Sequence, residues 1–130
     1  MKAYWDSSAL VEAHVDEDIY ARLKQERAFT RTHALSEVFS TLSGNPEFRA
    51  SANQAAAAIK GMAQYLDFVD LPAAEIIEAL GKAQACGVRG GRVHDYIHAL
   101  AAGKSGAKTL LTLDRNDFEK LVPGLFVEQV

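Results

Sequence analysis

The sequence predicts an α/β fold in which a mainly parallel central sheet is flanked by helices. Three observations predict it. Short apolar runs alternate with helical periodicities in the order strand, helices, strand, helices, strand, helices, strand, strand, which is the trace that βα units leave in a chain. The strongest strand, residues 108–113, directly follows a helix that is apolar or small on both faces, as expected where helices cover a sheet. At 130 residues, with 48% hydrophobic and 24% charged side chains, the chain suits one domain (1–130) with a proper core.

Taken in order, residues 2–5 are short and apolar and suit a strand. Asp6, Ser7 and Ser8 follow, and the chain turns helical at Ala9 with Ser7 as the expected N-cap. Residues 16–25 read as an amphipathic helix with Ile19, Tyr20 and Leu23 inward, and 28–31 as a short strand. Thr32 is expected to cap a helix over 33–43, which Gly44 and Pro46 end. Its apolar stripe is Leu35, Val38, Phe39 and Leu42, so Glu37 lies on the other side with Ala34 and Thr41.

An Ala-rich helix is predicted over 49–65, with Ser51 near its start. Residues 66–71 alternate like a strand that Pro72 ends. Residues 73–86 are expected to form a helix with Ile76, Ile77, Leu80 and Ala83 inward, stopped by Gly87. Cys86, the single cysteine, reads as a small buried residue; alone it makes neither an internal disulfide nor a cysteine zinc cluster. After a loop at 88–92, Val93, Ile97, Leu100 and Ala101 recur at helical spacing, and Gly103 and Gly106 close the run. Residues 114–118 are expected to form a short helix and 125–130 a last strand.

The chemistry starts from Asp95. It falls nearly opposite the apolar stripe of its helix, in line with Ala99 and Ala102. A carboxylate in such a place must be paired, neutralised or bound to a cation. Two strands end in an aspartate, Trp5 before Asp6 and Leu113 before Asp114. Sites in open parallel sheets form beyond the carboxyl ends of strands, so neighbouring strands would set these two side by side with Asp95. Carboxylates that converge repel unless a cation lies among them, and an all-oxygen cluster suits Mg²⁺ or Mn²⁺. Glu37 is the fourth candidate, and Asp117 a further ligand or outer-shell group.

Taken singly, each acid also has an ordinary structural reading: a helix cap for Asp6, a solvated helix residue for Glu37, an Asx-turn for Asp114 and Asp117. The set gains its meaning from being a set. His94 and His98 lie four apart, a zinc-like spacing, yet no Glu follows His94 as a metalloprotease pattern requires; a hydrogen-bonded histidine at a helix surface is the expectation. Arg89-Gly90-Gly91-Arg92 is a basic loop beside Asp95 that can meet an RNA backbone or be a plain exposed turn.

Formal charge is −3, with 14 basic against 17 acidic residues, so overall charge does not argue for nucleic acid. Setting aside four acids for a metal turns the balance slightly positive, and distribution becomes the deciding quantity. No apolar run is long enough to span a bilayer, and no basic-then-apolar leader opens the chain. A cytoplasmic protein without a membrane partner is the expectation.

Four stretches together resemble a known family. They are Tyr4-Trp5-Asp6-Ser7-Ser8-Ala9-Leu10-Val11, Ser36-Glu37-Val38, His94-Asp95-Tyr96-Ile97-His98-Ala99 and Leu111-Thr112-Leu113-Asp114-Arg115-Asn116-Asp117-Phe118. In this order they look like a PIN domain, and the size of the chain points to the VapC-type toxins of toxin–antitoxin pairs. The resemblance implies an α/β/α sandwich and a metal-dependent ribonuclease, a homodimer held inactive by a cognate antitoxin. It implies Asp6, Glu37, Asp95 and Asp114 as the catalytic and metal-binding acids, with Asp117, Ser7 and Thr112 nearby. RNA would then meet a local basic surface, Arg89, Arg92, Lys104 and Arg115.

Two other readings compete. A receiver-type phosphoacceptor domain shares the length and the α/β pattern, but needs paired acids at the first strand and a late Lys where Asp114 follows Leu113. A non-catalytic partner-binding module of the same fold would be expected to lose some of the acids. A nuclease assay with an EDTA control separates the enzyme from the binding module.

Overall fold

Alternation along the first strand decides the layers. In β1 (Ala3–Trp5), Ala3 and Trp5 point to one face of the sheet and Tyr4 to the other, as a period of two requires. The computed structural model describes residues 2–118, 120–121 and 124–130. Within them the sheet has five strands, all parallel, in the order β3-β2-β1-β4-β5. The remaining strands are β2 (Ala28–Arg31), β3 (Leu66–Val69), β4 (Thr109–Thr112) and β5 (Phe126–Gln129). Parallel neighbours need crossovers, and the helices that provide them cover both faces.

One face carries α1 (Ser7–Val15), α2 (Glu17–Glu26), α3 (His33–Gly44) and α4 (Ala52–Ala63). Trp5, Leu10, Leu23, Val38, Leu42, Met62 and Leu111 fill the core between them. On the other face, α6 (Val93–Ser105) lays Ala99, Ala101 and Ala102 against Tyr4, Leu110 and Val127, with α5 (Ala73–Gly81) packed on α6. Small residues let α6 sit close to the sheet. This is the α/β/α sandwich that the sequence predicts. Among the described residues no helix is long and apolar enough to cross a membrane.

The strand order also bears on function. The chain runs outward from β1 to β2 and β3, then returns to β4 and β5 on the other side of β1. Order reverses between β1 and β4, and a crevice opens at the carboxyl ends of strands at such a point. The receiver-type reading falls here, because that architecture orders its strands 2-1-3-4-5.

Several local expectations need correction. The N-cap of α1 is Asp6, not Ser7; its side chain accepts from the backbone N–H of Ala9. Thr32 sits in the right-handed helical region, where its hydroxyl does not cap α3. The Ala-rich helix starts later than expected because Ser51 and Gln54 form a capping box that sets its first turn at Ala52. In α3 the buried stripe is Ala34, Val38 and Leu42, which leaves Phe39 38% exposed.

The largest departure is α5. It ends at Gly81 rather than running to Cys86, and a separate 3-10 turn covers Gln84–Cys86 with left-handed Gly87 after it. Ile77 and Leu80 point outward, 68% and 46% exposed, and Cys86 is exposed as well. Helical spacing identifies an apolar face. It does not say whether this chain or another covers it.

Candidate functional site

The site is built where β1 and β4 run side by side. Tyr4 pairs with Leu110 and Trp5 with Leu111, so the next step along both strands sets Asp6 beside Thr112. The backbone N–H of Asp6 donates to Leu111 O at 3.1 Å, carrying the ladder one residue past the end of β1. Thr112 Oγ1 then donates to Asp6 Oδ2 at 2.7 Å. On the other oxygen, Ser8 Oγ donates to Oδ1 at 2.8 Å and the Ala9 N–H donates at 2.9 Å. Beside Thr112, the hydroxyl that reaches Asp6 from α1 is that of Ser8, one residue beyond the expected Ser7. Ser8 Oγ accepts from the Leu113 N–H at 2.9 Å and Thr112 Oγ1 from the Asp114 N–H at 3.2 Å, which ties the start of α1 to the loop after β4.

Asp6 is 5% exposed. Burial pushes its carboxyl up, and the bonds from Thr112, Ala9 and Ser8, with the charge of His98, pull it back; the net direction is upward.

Asp95 stands on the first turn of α6, half-buried. Its carboxyl is pushed up to about 6 by burial and by the charges of Asp117 and Asp6, against weaker pulls from His98 and Arg92. Asp117, at the end of the 3-10 turn Arg115–Asp117, is itself raised, by desolvation and by Asp114 beside it. Asp6, Asp95, Asp114 and Asp117 thus form one electrostatic neighbourhood. The N-termini of α1, α3 and α6 all meet this edge of the sheet, and the partial positive charge of helix N-termini suits negative groups.

Glu37 belongs to α3 on the opposite layer and reaches the same edge. His98, 1% exposed on α6, donates from Nε2 to Glu37 Oε1 at 2.8 Å. Its other nitrogen, Nδ1, lies 2.7 Å from Tyr4 Oη. Burial holds the Tyr4 phenol far above its ordinary range, so the hydroxyl keeps its proton. The Glu37 carboxylate can only accept, so Nε2, the nitrogen facing it, carries a hydrogen. Burial raises Glu37, but the bond and charge from His98 and the charges of His33 and His94 outweigh it, and its carboxyl falls below the usual range. His98 is therefore not the surface histidine that the sequence suggests. It is a buried linker between Tyr4 on β1 and Glu37 on α3.

The remaining candidates divide. Arg92 Nη2 donates to the Asp117 carbonyl at 3.3 Å, so it flanks the acids. Arg89 is exposed on the same loop, and Arg115 opens the turn that carries Asp117. Lys104 is elsewhere. It lies nine residues along α6 from Asp95, roughly 13 Å by the rise of a helix. Its Nζ is held by Glu75 at 2.8 Å and by the Asp70 carbonyl at 2.7 Å, so its charge is spent on α5. A cleft of ≈ 310 Å³ opens beside Asp6, lined by Ser7, Ser8, Thr41, Asn45 and Leu113. Thr41, which the sequence places on the Glu37 side of α3, lines this cleft.

Sequence reasoning did not find Ser8, Tyr4, His98 or His33 as parts of this region. Ser8 carried a weak signal as a second hydroxyl beside a capping Asp. The Tyr4–His98–Glu37 chain joins residues 94 and 61 positions apart, and no local pattern announces such pairs.

No family model matches the chain, and no curated protein matches it. Solved structures do. PAE2754 from Pyrobaculum aerophilum superposes with a TM-score of 0.71 at 20% identity, over 98% of this chain and 89% of that one. A chain of VapBC2 from Rickettsia felis, solved bound to a DNA fragment from their promoter, gives a TM-score of 0.71 at 20% identity, over 99% and 98% of the two chains. These likenesses establish the fold, an α/β/α sandwich that this chain shares with both over nearly its whole length. At this identity they assign no chemistry to individual residues.

Proposed function

We propose that this chain is a divalent-cation-dependent ribonuclease of VapC type, the toxin of a toxin–antitoxin pair acting in the cytoplasm. One observation carries the reading: Asp95 is lifted to about 6 by burial and by two neighbouring carboxylates, beside a buried Asp6 that is raised as well. Held acids with raised affinity for protons are what a cation site looks like before the cation binds. The donor set fits a hard dication, since all of its ligands are carboxylate oxygens.

Asp6 and Asp95 would be the main ligands of Mg²⁺ or Mn²⁺, with Asp114 and Glu37 completing the shell directly or through water and Asp117 outside it. The bound ion supplies a water of lowered pKa and draws off charge that develops on the phosphorane-like transition state. The chain's own residues do the rest. Thr112 and Ser8 fix both oxygens of Asp6. His98 holds Oε1 of Glu37, which leaves Oε2 to orient a water. Arg89, Arg92 and Arg115 lie on the loops around the acids and would position the RNA backbone without reading its sequence.

The test is RNA cleavage in Mg²⁺ or Mn²⁺, with EDTA as control and Asp95→Asn as the variant. Cleavage that needs the cation and is lost in the variant supports the reading; cleavage at the wild-type rate by a folded Asp95→Asn protein overturns it.

The same reading implies two protein partners. A homodimer would cover Ile77 and Leu80 on α5 and fill the ≈ 540 Å³ groove between α5 and α6, lined by Ala79, Tyr96, Ala99 and Leu100. An antitoxin segment would insert an Arg or Lys towards the acids. Light scattering that reports a monomer at micromolar concentration removes the first. A co-purified complex that leaves the acidic cleft open removes the second.

A further inference from the structure

His33, Glu37 and His94 make a second constellation on the outer side of Glu37. Each offers one ligand atom, and the three atoms all lie within 4.8 Å of one another. Among the described residues this is the group of three that comes so close; the aspartates do not gather as tightly. His33 and Glu37 are one turn apart on α3, the spacing that puts two side chains on one helix face. His94 comes from the first turn of α6. The rings of His33 and His94 are stacked, 5.9 Å between centroids and 12° between planes. Both histidines are exposed, so an ion can reach them from solvent.

We infer that His33, Glu37 and His94 form a binding site for a first-row transition dication, Zn²⁺ foremost, that bridges α3 and α6. Two imidazoles and one carboxylate are the donor set of three-ligand zinc sites with an open fourth position. Imidazole nitrogen favours Zn²⁺, Co²⁺ or Ni²⁺ over Mg²⁺, so the site differs in chemistry from the all-oxygen acids beside it. The carboxylate is already oriented. His98 occupies Oε1, with Tyr4 behind it, which leaves Oε2 available to an ion. A ligand held by an outer shell of this kind loses little freedom on binding. The zinc-like spacing of His94 and His98 in the sequence points to the wrong pair, because His98 turns inward and the partner of His94 is on another helix.

Sharing Glu37 has a consequence. An ion on the histidine side engages the acid that the proposed nuclease centre would use, so occupancy of one site alters the other. The inference itself goes beyond the nuclease reading and does not depend on it, and its test contains no RNA.

Metal-free full-length protein is titrated with Zn²⁺ by calorimetry and with Co²⁺ by visible absorption. The expected result is one tightly bound equivalent, distinct from any weaker binding at the aspartates, with Co²⁺ d–d bands that Zn²⁺ removes. His33→Ala and His94→Ala, both exposed positions, should each weaken Zn²⁺ binding by at least about tenfold. Asp95→Asn should leave it intact. As a measurement independent of any substitution, ¹⁵N spectra of the wild-type imidazoles should show His33 and His94 shifting with Zn²⁺ while exposed His14 does not. Zn²⁺ binding that survives both His variants, binding lost in Asp95→Asn alone, or imidazole spectra unmoved by Zn²⁺ each overturns the inference.

Discussion

Asp6 and Asp95 are two aspartates of one site, and they are held in opposite ways. Asp6 is a structural residue as much as a candidate ligand. It caps α1, it continues the β1–β4 ladder, and three donors fix its two oxygens. Asp95 is shaped by charge and burial: two carboxylates and desolvation push its carboxyl up, and none of the opposing influences is a hydrogen bond. Raised affinity for protons therefore has two meanings here. In Asp6 it is what burial leaves after three hydrogen bonds and the charge of His98 have pulled the other way. In Asp95 it is burial, reinforced by repulsion from Asp117 and Asp6, with no hydrogen bond to offset either. The second is the better mark of a place built for a cation, because compensation by protein groups is missing where an ion would supply it.

Breaking the comparison on the functional side should give the largest effect. Asp95→Asn removes charge at nearly constant shape and should cut RNA cleavage by roughly 10²–10³-fold or more. Initial rates in saturating Mn²⁺, on protein whose circular dichroism matches wild type, check this.

On the stability side the same substitution should act in the opposite sense. A carboxyl raised from 3.8 to about 6 makes the folded metal-free protein bind protons more readily than the unfolded chain. Its unfavourable contribution is fully present above pH 6 and vanishes as pH falls towards 3.8, so in EDTA this group makes the protein more stable on mild acidification. Asp6 works in the same direction, and Glu37, lowered, works against both. Asp95→Asn should stabilise the metal-free protein at pH 7 by about 1 kcal/mol, because solvent screens a half-buried carboxyl, and should flatten its pH dependence. Urea unfolding in EDTA at pH 4.5 and 7, for both proteins, measures the difference.

Asp6→Ala should fall on the other side of zero. It leaves the Ala9 N–H and the Ser8 and Thr112 hydroxyls without their acceptor, a loss of about 1–3 kcal/mol after relief of the buried charge. Equilibrium unfolding that finds Asp6→Ala as stable as wild type would erase the distinction between the two aspartates. The smallest effect is expected for Thr112→Val, which deletes one donor to Oδ2 and should cost roughly 1 kcal/mol. Its unfolding midpoint should move with little change in slope.

Much of this was legible in the chain. A strand that ends in Asp6, another that ends before Asp114 and a helix with Asp95 on a small-residue face are enough to predict a parallel sheet with acids at its carboxyl edge. Residues 28–31 were readable as a strand because Ala, Phe and Thr alternate between turn signals, and β2 covers those residues. What the chain did not disclose depends on distance in sequence or on the absence of a cover. Ser8 rather than Ser7 bonds Asp6 because Asp6 takes the cap itself, a position for which propensity favours Asp and Ser alike. His98 looks like a surface residue until β1 brings Tyr4 beneath it. Ile77 and Leu80 lie on an apolar face that nothing described in this chain buries, so inward was the natural expectation and outward is the finding.

The claim that Asp95 is held uncompensated until a cation arrives can be read at the atom concerned. The ¹³C resonance of the Asp95 carboxyl, followed through a pH titration in EDTA and again in saturating Mg²⁺, reports its proton directly. The account predicts a midpoint near 6 without the ion and a midpoint shifted to well below 4 with it. A midpoint at the ordinary 3.8 in EDTA, unmoved by Mg²⁺, would contradict it.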